Sequence, residues 1–332
     1  MIKSLLKELK DIFILVFWWM DSVRLYKMVE KFFAIWGILS TACEIESIAK
    51  RGTIVEDVVS KYFLAILIGS VIYAFISTKK MLSYTAIIKD TGIKISLSIG
   101  NLFWAKTNSF VISTNTTFDT KTDNEFISKN SVQGQFQLKY FRNNLQSLDK
   151  MLTEGLKEEL PIYLNRKMSK CKQYPIGTVS KINYKNKHYY FSAIADINEE
   201  GKTINTSIEN VKKCLLGTWE FISQKGHVEE LAIPVIGTGK AGVPNLSIEK
   251  AIMEMIYSIV DFSRTKKISD HFYIRIHPSD IRKNNINMDE LNAFLQCMCN
   301  YRKEIIEEHM GLNLISGGQA PGQKCQESGP KL

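Results

Sequence analysis

The chain has 332 residues, 45% hydrophobic and 11% aromatic, which is enough apolar side chain for a full core and excludes a globally disordered protein. Its 43 Lys and Arg against 34 Asp and Glu leave a net charge of +9, suited to a polyphosphate ligand, an anionic membrane surface or nucleic acid. No arginine-rich patch and no interleaving of basic with aromatic residues occurs, so nucleic acid is not expected as a partner.

Residues 5–20 are largely apolar, with Lys3, Lys7 and Lys10 at one end and Trp18 and Trp19 at the other. The Trp-Trp-Met-Asp ending offers no small-residue cleavage site, which argues for an interfacial helix over a cleaved signal peptide. Residues 32–48 predict a first membrane span that carries Glu44 and Glu46. A carboxylate at the bilayer centre costs ~2.5 kcal/mol or more, so these two are expected at the interface or against a partner helix. Residues 62–78 (YFLAILIGSVIYAFIST) are uncharged and are followed by Lys79 and Lys80, which predicts a second span. With residues 50–61 as the connection, the pair reads as an N-terminal transmembrane helical hairpin. Arg24, Lys27 and Lys31 before it, and Lys79, Lys80, Lys89 and Lys94 after it, favour both ends in the cytoplasm.

Beyond residue 81 the pattern changes to short strands alternating with helices. Ile93, Ile95, Leu97 and Ile99 alternate on one face of a strand, and residues 132–157 read as mainly helical. A strand over 189–197, a helix over 207–224, a strand over 231–236 and a helix over 246–262 follow. A strand over 271–277 and a last helix over 288–308 complete the pattern. Strands separated by helices predict an α/β fold with a mixed, largely parallel sheet covered on its faces. The expected division is a membrane region over 1–81, a ligand-binding domain over 82–312 and a polar, Gly/Pro-rich tail over 313–332 without fixed structure.

The chemistry is concentrated in Glu230-Leu-Ala-Ile-Pro-Val-Ile-Gly-Thr-Gly-Lys-Ala-Gly-Val-Pro244. An apolar strand empties into Gly237, Gly239 and Gly242, and a helix begins shortly after. Strand, glycine loop and helix let backbone N–H groups and a helix N-terminus hold a phosphate. A second apolar strand, Phe110-Val-Ile112, runs into the small polar residues Ser113 to Thr117. The histidines His188, His227, His271, His277 and His309 accompany no nucleophile motif, although His277 closes a strand and so falls at the sheet's ligand edge. The six cysteines are scattered; Cys297 and Cys299 have no second Cys/His pair at zinc spacing, so no metal site is expected.

Taken together, these two strand-loop segments resemble the ligand loops of a macro domain, the ADP-ribose-binding α/β module. Gly100-Asn-Leu-Phe103 stands where that family has Gly-Asp-Ile/Leu, Ser131-Val-Gln-Gly134 resembles its Gly-Val-Asp-Gly helix opening, and Pro175-Ile-Gly-Thr178 resembles its Pro-x-Gly turn before a strand. The similarity covers residues 93–300. It implies ligand contacts from Asn101 and Leu102, from Thr114, Asn115, Thr116, Thr117 and Phe118, and from Val132 and Gly134. It further implies contacts from Ile236, Gly237, Thr238, Gly239, Lys240, Ala241, Gly242 and Val243 on the glycine loop. Macro-domain hydrolases carry Asn-Ala-Ala-Asn and then a glycine run. Here only Asn115 remains of the first, and Asp123-Asn-Glu-Phe-Ile-Ser-Lys129 replaces the second. Binding without turnover is therefore expected, with no catalytic residue and no cofactor. Asn101 replaces the family's adenine-contacting Asp, which removes a charged acceptor.

A membrane hairpin joined to a divergent macro domain resembles the membrane-anchored macro-domain ThsA family of Thoeris antiphage effectors. That resemblance implies an ADP-ribose-type signal made by a TIR-domain partner, homo-oligomerisation, contact with membrane lipid and damage to the bacterial inner membrane, with the macro domain in the cytoplasm. The alternatives are a membrane-tethered ADP-ribosyl hydrolase and a structural anchor whose macro fold has lost its ligand.

Overall fold

The computed structural model describes residues 9, 22–49, 54–78, 82–121, 127–142, 144–165, 170–200, 202–204, 206–239, 242–284 and 286–300. The expected interfacial helix over 5–20 (Leu9 apart), Lys79 and Lys80, the end of the last helix beyond Asn300 and the tail over 313–332 lie outside these residues.

Among the described residues, three helices precede the sheet: α1 (Ser22–Ile48), α2 (Ile54–Lys61) and α3 (Phe63–Ser77). The Trp36 indole N–H donates to Ser70 Oγ at 3.3 Å and its ring lies 5.5 Å from that of Phe63, so α1 and α3 pack together. The stretch expected as a simple connection, 50–61, contains α2 instead. Glu46 is the cause: its two carboxylate oxygens accept from Ile54 N–H at 2.9 Å and Val55 N–H at 2.8 Å, capping the new helix. Glu56 and Asp57 in the first turn and Lys61 in the last complement its dipole. No single described helix is long and apolar enough to cross a membrane; α2 and α3 meet that test only together, across a 79° bend. The expected span over 62–78 thus becomes a 15-residue helix, roughly 22 Å at 1.5 Å per residue. Phe33, Ile38, Ile45, Leu64, Ile68 and Ile76 are all exposed on α1 and α3.

Residues 82–300 build the α/β part. The strands are β1 (Ser83–Ile87), β2 (Lys94–Ile99), β3 (Ser109–Asn115), β4 (Ile162–Tyr163), β5 (Lys172–Gln173), β6 (Val179–Tyr184), β7 (Lys187–Ile197), β8 (Thr203–Ile204), β9 (Leu231–Pro234) and β10 (His271–Ile276). The helices are α4 (Val132–Tyr140), α5 (Leu145–Gly155), α6 (Ile208–Lys225), α7 (Ile248–Ser263), α8 (Pro278–Asn284) and α9 (Met288–Asn300). The main sheet runs β1-β2-β10-β9-β3-β7-β6, with β8 added to β7. The central run from β2 to β7 is parallel, and β1, β6 and β8 pair antiparallel.

Alternation along the strands sorts the core into two layers. Ile95, Leu97, Val111, Ile233, Phe272 and Ile274 face α6, α7 and α9, while Phe110, Ile112, Tyr189, Phe191 and Ala232 face α4 and α5. On α6 the buried residues Val211, Cys214, Leu215, Thr218, Trp219 and Ile222 keep helical spacing, and Trp219 Nε1–H donates to Ser258 Oγ at 2.8 Å. Ser207 caps this helix by accepting from Asn210 N–H at 3.2 Å. Ser207→Ala is expected to destabilise the domain by about 1 kcal/mol, read as a lower denaturant midpoint at constant m-value.

The helical stretch expected over 132–157 divides in two because Phe141 leaves helical geometry and the Asn144 side chain accepts from Ser147 N–H to start α5. The β4–β5 hairpin and β8 have two-residue strands, too short for any period-two signal.

Candidate ligand-binding cleft

After β3 the chain turns toward β6 and β7, whereas after β9 it returns through α7 to β10, on the other side. Adjacent parallel strands whose chains leave in opposite directions mark the topological switch point of an α/β sheet, and ligands bind at its carboxyl end. Here the two strands also part. They pair only at Ser109–Leu231 and Phe110–Ala232, after which β9 continues beside β10 and β3 beside β7. Both loops singled out from the sequence leave from this split.

The glycine loop is shaped by its own backbone. Gly242 N–H donates to Gly239 O at 2.8 Å and Val243 N–H to Gly237 O at 2.9 Å. Gly237 has φ +91°, a left-handed conformation, and a Cβ there would come 2.7 Å from Val211 Cγ2. Gly242 is packed against the loop, with Gly237 O and Gly239 O each 2.7 Å from an added Cβ. Gly239 is different: nothing lies within 4 Å of its Cβ position. The N–H groups of Gly237, Thr238 and Gly239 donate to no other described residue, so three consecutive donors remain for an anion. Ile236 is buried, Thr238 and Val243 are half-buried, and Lys240 and Ala241 lie outside the described residues.

The Asn-containing loop is braced from within. Asn115 Oδ1 accepts from Asp119 N–H at 3.0 Å and from the Thr117 hydroxyl at 3.3 Å, while its Nδ2 donates to Asp119 Oδ2 at 3.1 Å. Thr117 Oγ1 also donates to Asp119 Oδ2 at 2.6 Å. Thr116 is fully buried; its hydroxyl accepts from Gln173 Nε2 at 3.0 Å and its carbonyl from Tyr174 N–H at 2.8 Å. Phe118, at φ +50°, packs edge-on to Tyr174, and its carbonyl accepts from Lys170 Nζ at 2.6 Å. Lys170 in turn pairs with Asp149 at 2.7 Å. Thr114 is buried, and its hydroxyl has no partner among the described residues. The side chains of Asn115 to Phe118 thus build the loop. Asp119, Gln133 (which donates to Asp119 O at 2.7 Å), Lys170 and Gln173 are supporting residues that the sequence reading did not weigh. The four-residue step from Asn115 to Asp119 with threonines between is the one local signal for them.

Val132 and Gly134 open α4. Ser131 Oγ accepts from Gly134 N–H at 3.0 Å, and a Cβ on Gly134 would fall 2.1 Å from Ser128 O, so this glycine is required for packing. At the end of β2, Asn101 Oδ1 accepts from Phe103 N–H at 2.9 Å, Asn101 Nδ2 donates to Gln135 Oε1 at 3.3 Å, and Leu102 is buried. Arg275, also not weighed from sequence, donates from Nη1 to Ser98 Oγ at 2.8 Å and from Nη2 to Asn101 O at 3.4 Å. Burial pushes its guanidinium below the usual arginine pKa.

His277 sits at this edge, with Nδ1 accepting from Ser279 N–H at 3.3 Å. His271 lies at the other end of β10, its Nε2 2.7 Å from Ser96 Oγ, which also meets Thr85 Oγ1; burial lowers its pKa. That group ties β1, β2 and β10 together. Burial pushes the Cys214 thiol up to about 11 and the Cys299 thiol up to about 12, so neither is a thiolate at neutral pH. No cluster of three or more metal-ligating side chains occurs among the described residues.

A family model described as Thoeris protein ThsA, Macro domain, matches residues 95–277, more than half of the chain. The Thoeris protein ThsA of Bacillus amyloliquefaciens (strain Y2) is 23% identical over 156 residues, covering 45% of this chain and 50% of that protein. The chain therefore spans about half the length of this relative. Among solved structures, the Oceanobacillus iheyensis macrodomain with ADP is 15% identical and aligns with a TM-score of 0.44 over 69% of this chain and 100% of its own. The Trypanosoma brucei macrodomain in complex with ADP-ribose is 12% identical, with a TM-score of 0.38 over 61% of this chain and 68% of its own.

Proposed function

This chain belongs to the macro-domain family of the Thoeris protein ThsA, and on that premise we propose that its cleft binds an ADP-ribose-derived nucleotide as a signal, without turning it over. The observation that carries this reading is the run of three N–H donors at Gly237, Thr238 and Gly239, beside the split between β3 and β9. Such a run suits a diphosphate, whose oxygens need several convergent donors and no bulky side chain in the way. On one side of the diphosphate the loop of Thr114 to Phe118 meets the distal ribose through its backbone. On the other, the adenosine lies toward Asn101 and Leu102. The Asn115 amide, already engaged with Asp119 inside its loop, supports the reading of binding without hydrolysis.

In this proposal a TIR-domain partner supplies the nucleotide. Binding then changes how copies associate, and α1 to α3 carry the effect into the bacterial inner membrane. Their exposed apolar side chains support a lipid or helix partner for that region. A ligand shifts assembly only as far as its affinity differs between free and associated states.

Calorimetry of the full chain in detergent with ADP-ribose is expected to give saturable binding, and incubation with an ADP-ribosylated protein to release nothing. Absence of binding would remove the proposal. Release of ADP-ribose would replace it with a hydrolase. An unchanged mass in detergent at saturating nucleotide would remove the assembly step alone.

A further inference from the structure

Arg275 is a half-buried cation with no anionic partner among the described residues. It stands on β10, in register with Ser98 of β2 and Pro234 of β9, and so flanks the strand that feeds the glycine loop. Its guanidinium packs directly on the turn before Asn101, where a Cβ on Gly100 would lie 2.3 Å from Nη2. Its two bonds go to neutral oxygens, Ser98 Oγ and Asn101 O. No carboxylate among the described residues pairs with it, and its Nε is buried without a partner. A partly desolvated arginine held by two neutral acceptors is costly to keep, and an ionic partner relieves that cost.

The surrounding groups point the same way. Asn101 Oδ1 is occupied by Phe103 N–H, and Gln135 Oε1 by Asn101 Nδ2. Gln135 Nε2 donates away, to Asn130 O at 3.0 Å. This end of the cleft therefore offers N–H groups, from Arg275 and from the second hydrogen of Asn101 Nδ2, while its side-chain acceptors are engaged. An exocyclic amino group would need the opposite. A phosphate, which takes donors and which a guanidinium meets in a two-pronged fashion, fits.

We propose that Arg275 is a specificity residue for a phosphate monoester on the adenosine side of the ligand. The inference rests on the ADP-ribose-type reading above, because on that skeleton the groups available at this end are ribose hydroxyls, and the anion a hydroxyl carries is a phosphate ester.

The test is calorimetry of the full-length protein in detergent with two probes, ADP-ribose and ADP-ribose 2′-phosphate. The phosphorylated probe is expected to bind about tenfold tighter, the size of a charge-assisted contact. Arg275→Gln should bring that ratio to about one, and Arg275→Lys should keep part of it. Should Arg275→Gln fail to fold, the ratio is read on Arg275→Lys, which keeps the charge but not the two-pronged geometry, and a partial loss of preference is expected. Equal affinities in the unmodified protein would overturn the role of Arg275 and leave the ADP-ribose reading standing. A preference that is undiminished in Arg275→Gln, or in Arg275→Lys where the former does not fold, would overturn it as well. No binding of either probe would remove the reading and this inference together.

Discussion

Gly239→Val is expected to abolish ADP-ribose binding while leaving stability within about 0.5 kcal/mol, whereas Gly237→Val is expected to unfold or severely weaken the domain. The two glycines share a loop but have different tasks. Gly239 is exposed, a Cβ there touches nothing within 4 Å, and its backbone is not left-handed. Valine at 239 therefore fits the folded protein and obstructs only what approaches from outside, next to the three donors. Gly237 has φ +91°, and a Cβ there would lie 2.7 Å from Val211 Cγ2 and 3.2 Å from Leu246 Cδ2. Left-handed backbone costs a branched residue about 1–3 kcal/mol and overpacking adds about 1–3 kcal/mol. Denaturant melts and calorimetry on both variants separate these effects. Undiminished binding by Gly239→Val would mean that the donors at 237–239 do not hold the diphosphate. Equal destabilisation by both would mean that the loop is packed differently.

Contrasts of this kind mark where sequence reading stops. The strand into Gly237 and the helix beyond it were legible because an apolar run, three glycines and helical spacing follow one another within residues 231–262. The parallel sheet was legible from strands and helices in alternation. The conformational demand fell on Gly237 and not on Gly239, however, and spacing cannot distinguish the two. In the same way, Asn115 stood out by residue type as a ligand group, yet its amide is turned onto Asp119 and Thr117. Arg275 was not legible at all: its strand alternates so that Phe272, Ile274 and Ile276 face the core, which makes Arg275 look like an ordinary solvated residue. The turn at Glu46 was missed for a related reason. A glutamate in an apolar stretch reads as a cost to a membrane helix, and its use as the cap of a following helix depends on a bend that no local pattern specifies.

Asp119→Ala is expected to have the largest effect on the Asn-containing loop. Asp119 is 1% exposed, and one carboxylate oxygen, Oδ2, accepts from both Asn115 Nδ2 at 3.1 Å and Thr117 Oγ1 at 2.6 Å. Alanine takes that acceptor away: Asn115 Nδ2 loses its bond to Oδ2, at about 1–3 kcal/mol, while Thr117 Oγ1 loses its shorter bond and keeps the one to Asn115 Oδ1. The backbone bonds survive, since Asp119 N–H still meets Asn115 Oδ1 and Gln133 still meets Asp119 O. The Asn115 and Thr117 side chains are nevertheless held less tightly without Oδ2, so the loop loses part of its internal brace. Nucleotide affinity should fall with stability. Asp119→Asn is the informative control, because both donors converge on a single oxygen and an amide oxygen can stand in its place. That variant is expected to lose no more than about 1 kcal/mol and to keep most of its affinity. Denaturant melts with parallel calorimetry decide the matter. If Asp119→Ala melts with the unmodified protein, the brace does not hold the loop. If Asp119→Asn is as damaging as Asp119→Ala, the carboxylate's charge matters more than its hydrogen bonds.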